Sequence, residues 1–139
     1  MSQQLVLKTL TEWLSSLAPP PPAQPWPDIV SGPFIRDMPD RLVSITLLPG
    51  LGYAMEGSVD QPSFQVRARG DQSDQGDAET IAMDIDTAIF VQHFPQVFAD
   101  TNFLLVTRLA GMPAPLGPPV QNDGMRLEYV CTYRTVIGN

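Results

Sequence analysis

The segment Phe64-Gln65-Val66-Arg67-Ala68-Arg69-Gly70 is the part of the sequence around which the other segments can be arranged. Its apolar residues alternate with polar ones, which is the period-two pattern of a strand with one buried face. Gly70 ends the alternation, and the acidic and small residues of 71–76 are typical of a solvated turn. The segment therefore predicts a strand that leads directly into a turn.

An amphipathic helix is predicted immediately after this turn. It begins near Asp77, whose carboxylate can cap the free N–H groups of the first turn, and Pro95 ends it. Glu79 lies where the helix dipole favours a negative charge. Its apolar stripe consists of residues at helical spacing: Ala78, Ile81, Ala82, Ile85, Ala88 and Ile89. This helix can lie across the sheet that contains the strand.

The composition fits one globular domain spanning residues 1–139, with 43% hydrophobic residues to form a core. A formal net charge of −7 argues against a protein that grips nucleic acid through its phosphates. No apolar run approaches the ~20 residues of a membrane span, so we expect no membrane partner. Cys131 is the single cysteine, which excludes an internal disulfide and predicts a small apolar core residue.

The remaining segments complete the predicted fold. Leucines and Trp13 on one side of residues 3–17 predict a first amphipathic helix. The proline-rich residues 19–27 predict a stiff spacer anchored by Trp26, or alternatively a ligand for a proline-binding groove. Further strands are predicted at 41–48, 103–108 and 125–137. The predicted core contains Val43, Ile45, Val66, Ala68, Ile81, Ile85, Ile89, Tyr129 and Cys131.

The order of these elements predicts an α+β fold. We expect a mainly antiparallel four-stranded sheet with two helices packed on one face, joined by long Pro/Gly-rich loops. Two of these loops, residues 49–62 and 110–122, are long enough to suggest a function. Their apolar residues predict contacts with partner proteins: Leu51, Tyr53, Met55, Met112 and Leu116.

The face of the sheet turned away from the helices is predicted to carry four arginines: Arg67, Arg69, Arg126 and Arg134. Two interpretations of this face stay open. It is either a solvated surface, or a subunit contact in which the arginines meet acidic side chains of a neighbouring copy. In the second case the acidic turn supplies the partners, namely Asp71, Asp74 and Asp77.

The sequence predicts no catalytic site, no metal site and no cofactor. His93 is the single histidine and is expected in the last turn of the second helix, where a cation suits the dipole. Asp84 and Asp86 are two residues apart on a helix, so they point about 200° away from each other and are predicted to be solvated. The acidic turn lacks the spacing of an EF-hand loop.

The whole pattern resembles the minor capsid and tail-terminator proteins of long-tailed bacteriophages. The similarity rests on the leucine-rich helix, the Trp26-Pro27 spacer, and Pro39-Asp40-Arg41-Leu42-Val43 at the first strand. It continues through Pro49-Gly50, the Phe64–Gly70 strand, the helix from Ala78 to Phe90, Pro115-Leu116-Gly117, and Arg126 to Tyr133. The sequence departs from the family pattern in its longer proline run and in Gly117-Pro118-Pro119.

This resemblance implies a structural virion protein that is not an enzyme. The family implies a homo-oligomeric, hexameric ring, assembled in the host cytoplasm, that caps the tail tube protein and docks to a neck or head-completion protein. DNA passes through such a ring without specific binding. Two alternatives stay open: a head-closure or neck connector protein of the same assembly, and a small ligand-binding domain or enzyme with a cleft lined by Tyr53, His93 and Tyr133.

Overall fold

The computed structural model describes residues 3–19, 25–32, 41–48, 59–60, 62–71, 74, 76–109, 111–115 and 128–138. Within these residues the chain forms two α-helices and a mixed β-sheet. The helices are α1 (Gln3–Ser16) and α2 (Asp77–Phe90). The strands are β1 (Asp28–Ser31), β2 (Leu42–Leu48), β3 (Val59–Asp60), β4 (Ser63–Arg69), β5 (Gln96–Phe98), β6 (Thr101–Arg108), β7 (Ala114–Pro115) and β8 (Glu128–Gly138).

The sheet is larger than predicted and is not purely antiparallel. Six strands follow the order β1-β2-β4-β8-β6-β5, while the short strands β3 and β7 add to β8. β1 pairs with β2 in parallel, and the other described pairs are antiparallel. The sheet curls into a half-barrel. The prediction of a four-stranded antiparallel sheet is therefore wrong, because four short strands next to prolines or within loops carry too little period-two pattern to be recognised.

β8 occupies the centre of this sheet. One of its edges pairs with β4 and β3, and the other pairs with β6 and β7. Along the first edge the register runs from Ser63 opposite Arg134 to Arg69 opposite Glu128. Along the second it includes Thr107 opposite Arg134. Because side chains alternate along a strand, this register decides which residues of three strands share a face.

The inner face of the sheet and both helices form one hydrophobic core. α1 and α2 place their buried residues in the same cluster as the inward-pointing residues of β2, β4, β6 and β8. Eight members of the predicted core are buried in this cluster, and Tyr129 packs against it, which confirms that prediction. Burying a large aliphatic side chain contributes about 1.5–3 kcal/mol, so this cluster is the main source of stability.

The N-terminal helix lies against β1 and β2 and reaches β5 and β6 through Trp13. Trp13 stacks on Phe103 with ring centroids 5.1 Å apart, and its Nε1–H donates to Gln96 Oε1 at 3.1 Å. Trp26 donates from Nε1 to the carbonyl oxygen of Leu17 at 2.7 Å and packs against the core. The predicted role of Trp26 as a packing anchor is confirmed.

The start of α2 differs from the prediction in one respect. Gly76 is the N-cap, and no side chain caps the helix. Asp77 instead accepts a hydrogen bond from the backbone N–H of Asp71 at 2.8 Å, which closes the turn between β4 and α2. Gly70 allows this close approach, since a Cβ atom there would overlap the backbone nitrogen of Ala78.

Candidate functional site

The structure describes three of the four arginines that the sequence placed on the outer face of the sheet: Arg67, Arg69 and Arg134. Two of them, Arg67 and Arg69, make most of their contacts within the chain. Arg67 Nη2 and Glu128 Oε1 form an ion pair at 2.6 Å, diagonally across β4 and β8. Arg69 is buried, with 1% of its surface exposed. Arg126 lies outside the described residues. The sequence pattern located this face, but it could not show that Glu128 would pair with Arg67, since that depends on the strand register.

Arg134 differs from these neighbours. It lies in the middle of β8, between Ser63 of β4 and Thr107 of β6. Its side chain is half-buried, and its Nε is buried without a hydrogen-bond partner. The described part of the chain brings no carboxylate to it. Because the guanidinium of Arg134 is partly desolvated and has no described carboxylate partner, it is the described arginine of this face best placed to receive a carboxylate from another molecule.

The acidic turn is also partly satisfied internally. Asp77 Oδ2 forms an ion pair with Arg41 Nε at 2.9 Å in addition to its bond from Asp71. Asp74 is exposed and accepts from the backbone N–H of Gly76 at 3.0 Å. Asp74 therefore keeps most of its charge accessible to a neighbour, whereas Asp77 is committed to the fold.

A polar cluster between α2 and the sheet was not predicted. Tyr133 is fully buried and donates from its hydroxyl to Asp86 Oδ1 at 2.9 Å. Arg108 Nη1 lies 3.5 Å from Asp86 Oδ2, and its guanidinium lies 5.3 Å from the ring centroid of Phe90. The prediction that Asp86 is solvated is wrong. Asp86 follows Ala82 by four residues and precedes Ile89 by three, so helical spacing could have placed it on the buried stripe.

Burial controls the ionisation of two side chains in this region. Burial raises the pKa of the Tyr133 hydroxyl, and its bond to Asp86 raises that pKa further. Tyr133 is therefore a permanent hydrogen-bond donor. Burial also raises the pKa of the Cys131 thiol, which keeps it protonated and unreactive near neutral pH. These shifts describe a stable protein interior and point to no nucleophile.

The large hydrophobic side chains that are exposed in the described residues come from one segment of the chain. Every large hydrophobic residue that is exposed in the described ranges lies between residues 90 and 112: Phe90, Val91, Val97, Leu105, Leu109 and Met112. Met112, 62% exposed, is the one predicted loop contact that the structure describes. Leu51, Tyr53, Met55 and Leu116 lie outside the described residues. Three of the exposed residues, Val97, Leu105 and Leu109, share the outer face of the sheet, and neighbouring exposed apolar side chains are typical of protein–protein contacts.

The alternative of a catalytic or ligand-binding cleft gains no geometric support. Tyr133 is fully buried, while His93 is exposed and lies beyond the end of α2 rather than in its last turn, so these two do not line a common solvent-open cleft. Tyr53 is not among the described residues. The described side chains include no group of three His, Cys, Asp or Glu residues that could hold a metal ion. Neither described helix is long and apolar enough to cross a membrane.

Comparison of the sequence with models of protein families assigns the chain to a family. The model described as bacteriophage tail terminator protein matches residues 16–139, which include all eight strands and α2. The chain belongs to the bacteriophage tail terminator family. The comparison with curated proteins gave no match. Tail terminators are structural components of the virion tail, and membership implies association with other tail or neck components.

Proposed function

We propose that this tail terminator assembles in the host cytoplasm into a ring, a hexamer, that caps the tail tube, stops its polymerisation and joins it to the neck. The observation that carries the proposal is the confinement of exposed large apolar side chains to residues 90–112 of the described chain. A monomer seldom exposes such a group unless it binds a partner. Family membership supplies the class of partner, and the apolar group supplies a surface for it.

The charges of the chain fit a ring through which DNA passes. With fifteen acidic and eight basic residues, the subunit has a formal net charge of −7. Binding to phosphates requires clustered Lys and Arg side chains that release counterions. An acidic ring instead lets DNA slide through without specific binding. This part of the proposal does not depend on any single residue.

The subunit contact in this proposal joins the arginine face of one copy to the acidic turn of the next. The internal pairs of Arg67 and Asp77 leave Arg134 and Asp74 as the described residues best placed to carry it. The loops at 49–62 and 110–122 contact the tube and the neck protein in this scheme, with Met112 exposed as such a contact requires.

Loss of the gene from its phage tests the proposed function directly. Without the terminator, tubes should grow beyond their normal length and remain unjoined to heads, and supplying the wild-type chain should restore tails of uniform length in electron micrographs. A pull-down with purified tube protein separates this function from that of a neck connector, since a terminator must bind the end of the tube. Uniform tail lengths in the absence of the gene would refute the proposal.

A further inference from the structure

One part of the exposed apolar group lies on the outer face of the sheet and surrounds Arg134. Leu105 is opposite Val136, and Thr107 is opposite Arg134. The backbone N–H of Leu109 donates to the carbonyl oxygen of Thr132 at 3.0 Å, which continues this ladder. Leu105 and Leu109 therefore flank the arginine along β6, while Val97, on the same face of β5, extends the group to the edge of the sheet.

These four residues form what we call the β6 patch: Val97, Leu105, Leu109 and Arg134. The three apolar members are 70%, 46% and 47% exposed, in that order. In this patch the guanidinium of Arg134 is partly desolvated and has no described carboxylate partner. The apolar side chains beside it exclude water. An acidic side chain within an otherwise uncharged surface would complement it, because charge pairs strengthen where water is excluded.

The chain itself carries such acidic side chains at the opposite end of α2. Asp74 and Glu79 are exposed near the start of this helix. Two contacts show the direction of α2 along β8: Tyr129 reaches Glu79 near the start of the helix, and Tyr133 reaches Asp86 near its end. Arg134 therefore lies toward the far end of α2 from Asp74 and Glu79. Arg134 is also on the outer face of the sheet, whereas α2 packs on the inner face, so the two surfaces point in different directions.

We propose that the β6 patch binds a second copy of this chain through the acidic end of that copy's α2, with Asp74 and Glu79 facing Arg134. The two surfaces differ, one on the outer face of the sheet and the other at the start of α2, so the contact is head-to-tail. Such contacts repeat and close into a ring when the rotation between copies permits. This inference rests on the proposed ring function and names the surface that builds the ring.

Mixing two variants of the full-length chain tests the polarity of the contact. Arg134→Glu disables the patch and leaves the acidic end intact, whereas Asp74→Arg combined with Glu79→Arg disables the acidic end and leaves the patch intact. Each variant alone should associate at least about tenfold more weakly than the wild type, since each places like charges opposite one another in the contact. A mixture of the two should regain assembly with the variants alternating, because every contact between unlike variants then joins opposite charges.

Two further variants keep this test decisive. One chain that carries Arg134→Glu, Asp74→Arg and Glu79→Arg should regain assembly, since the charges are exchanged. Leu105→Ser removes an exposed side chain and should weaken assembly without unfolding, which covers the case in which Arg134→Glu fails to fold. Lys8→Glu is the matched control: it makes the same charge change at an exposed position of α1 and should assemble like the wild type. Native mass spectrometry and sedimentation velocity report the oligomer, and circular dichroism reports folding.

The outcomes separate this inference from the proposed function. Full-sized rings from either single-surface variant alone, or a mixture that assembles no better than the separate variants, would overturn the β6 patch as the subunit contact. So would a wild-type chain that stays monomeric at all concentrations. Tail length in phage lacking the gene and supplied with the wild-type chain reports the proposed function independently. If tails have their normal length and the variants assemble like the wild type, the β6 patch is refuted while the proposed function stands.

Discussion

Replacing Tyr133 by Phe removes one hydroxyl group and leaves the aromatic ring in place. The ring of Tyr133 stacks on Phe64 with centroids 5.3 Å apart, and Phe can keep this contact. The change therefore isolates the hydrogen bond to Asp86 Oδ1, which is 2.9 Å long. Asp86 is 8% exposed, so bulk water cannot readily take the place of the lost Tyr133 hydroxyl as a donor to its carboxylate.

The size of the effect follows from this geometry. A hydrogen bond to a charged group contributes about 1.5–3 kcal/mol to stability. Arg108 lies 3.5 Å from the other carboxylate oxygen and offsets part of the loss. We therefore expect Tyr133→Phe to lower the free energy of unfolding by about 2 kcal/mol.

Tyr129 provides the matched control on the same strand. Its hydroxyl lies 3.5 Å from Glu79 Oε2 at an exposed position, so Tyr129→Phe should cost less than about 0.5 kcal/mol. Urea denaturation at one fixed protein concentration measures both variants, and a double-mutant cycle with Asp86→Asn assigns the difference to the Tyr133–Asp86 pair. Equal losses for the two Tyr→Phe variants would refute the claim that the buried cluster stabilises the fold.

Three further predictions concern the core and its close contacts. Ile85, 3% exposed, should lose about 2–5 kcal/mol of stability when replaced by Ala, and a loss below about 0.5 kcal/mol in denaturation would contradict the packing of α2. Gly70→Ala should cost at least about 1–3 kcal/mol because its Cβ would meet the backbone of Ala78, whereas Gly111→Ala, with no atom within 4 Å, should be nearly neutral in the same assay. Because burial raises the pKa of Cys131, thiolate forms at higher pH than in a free thiol, so a disulfide reagent at pH 8 should modify the folded chain much more slowly than the unfolded chain. Equal modification rates would show that the thiol is accessible.

Local patterns in the sequence predicted the elements that have strong periodicity. Both helices and the strands β2, β4, β6 and β8 occur at or near their predicted positions, because each has several residues that repeat at a period of 3.6 or 2. β1 and β5 have four and three residues and follow prolines, and β3 and β7 have two residues each. Segments this short form strands because a neighbouring strand offers hydrogen bonds, which no local pattern records.

The candidate site shows the same division. Period two placed Arg67, Arg134 and Glu128 on one face of the sheet, which the ladder between β4 and β8 confirms. Which arginine pairs with Glu128 depends on register and rotamer, so the distinction between Arg67 and Arg134 required coordinates. The apolar members of the β6 patch were missed because single exposed leucines and valines look like core residues in a sequence.

The central position of β8 also bears on how the chain is made. β4 and β6 do not pair with each other, and each takes one edge of β8. Synthesis proceeds from the N-terminus, so both strands leave the ribosome well before residues 128–138 can join them. Until then β4 and β6 cannot belong to one sheet, so their inner-face residues cannot pack together. The contacts between residues far apart in sequence therefore form only after β8 is available. A subunit therefore cannot present a finished outer face, or nucleate an assembly on it, before residues 128–138 have left the ribosome.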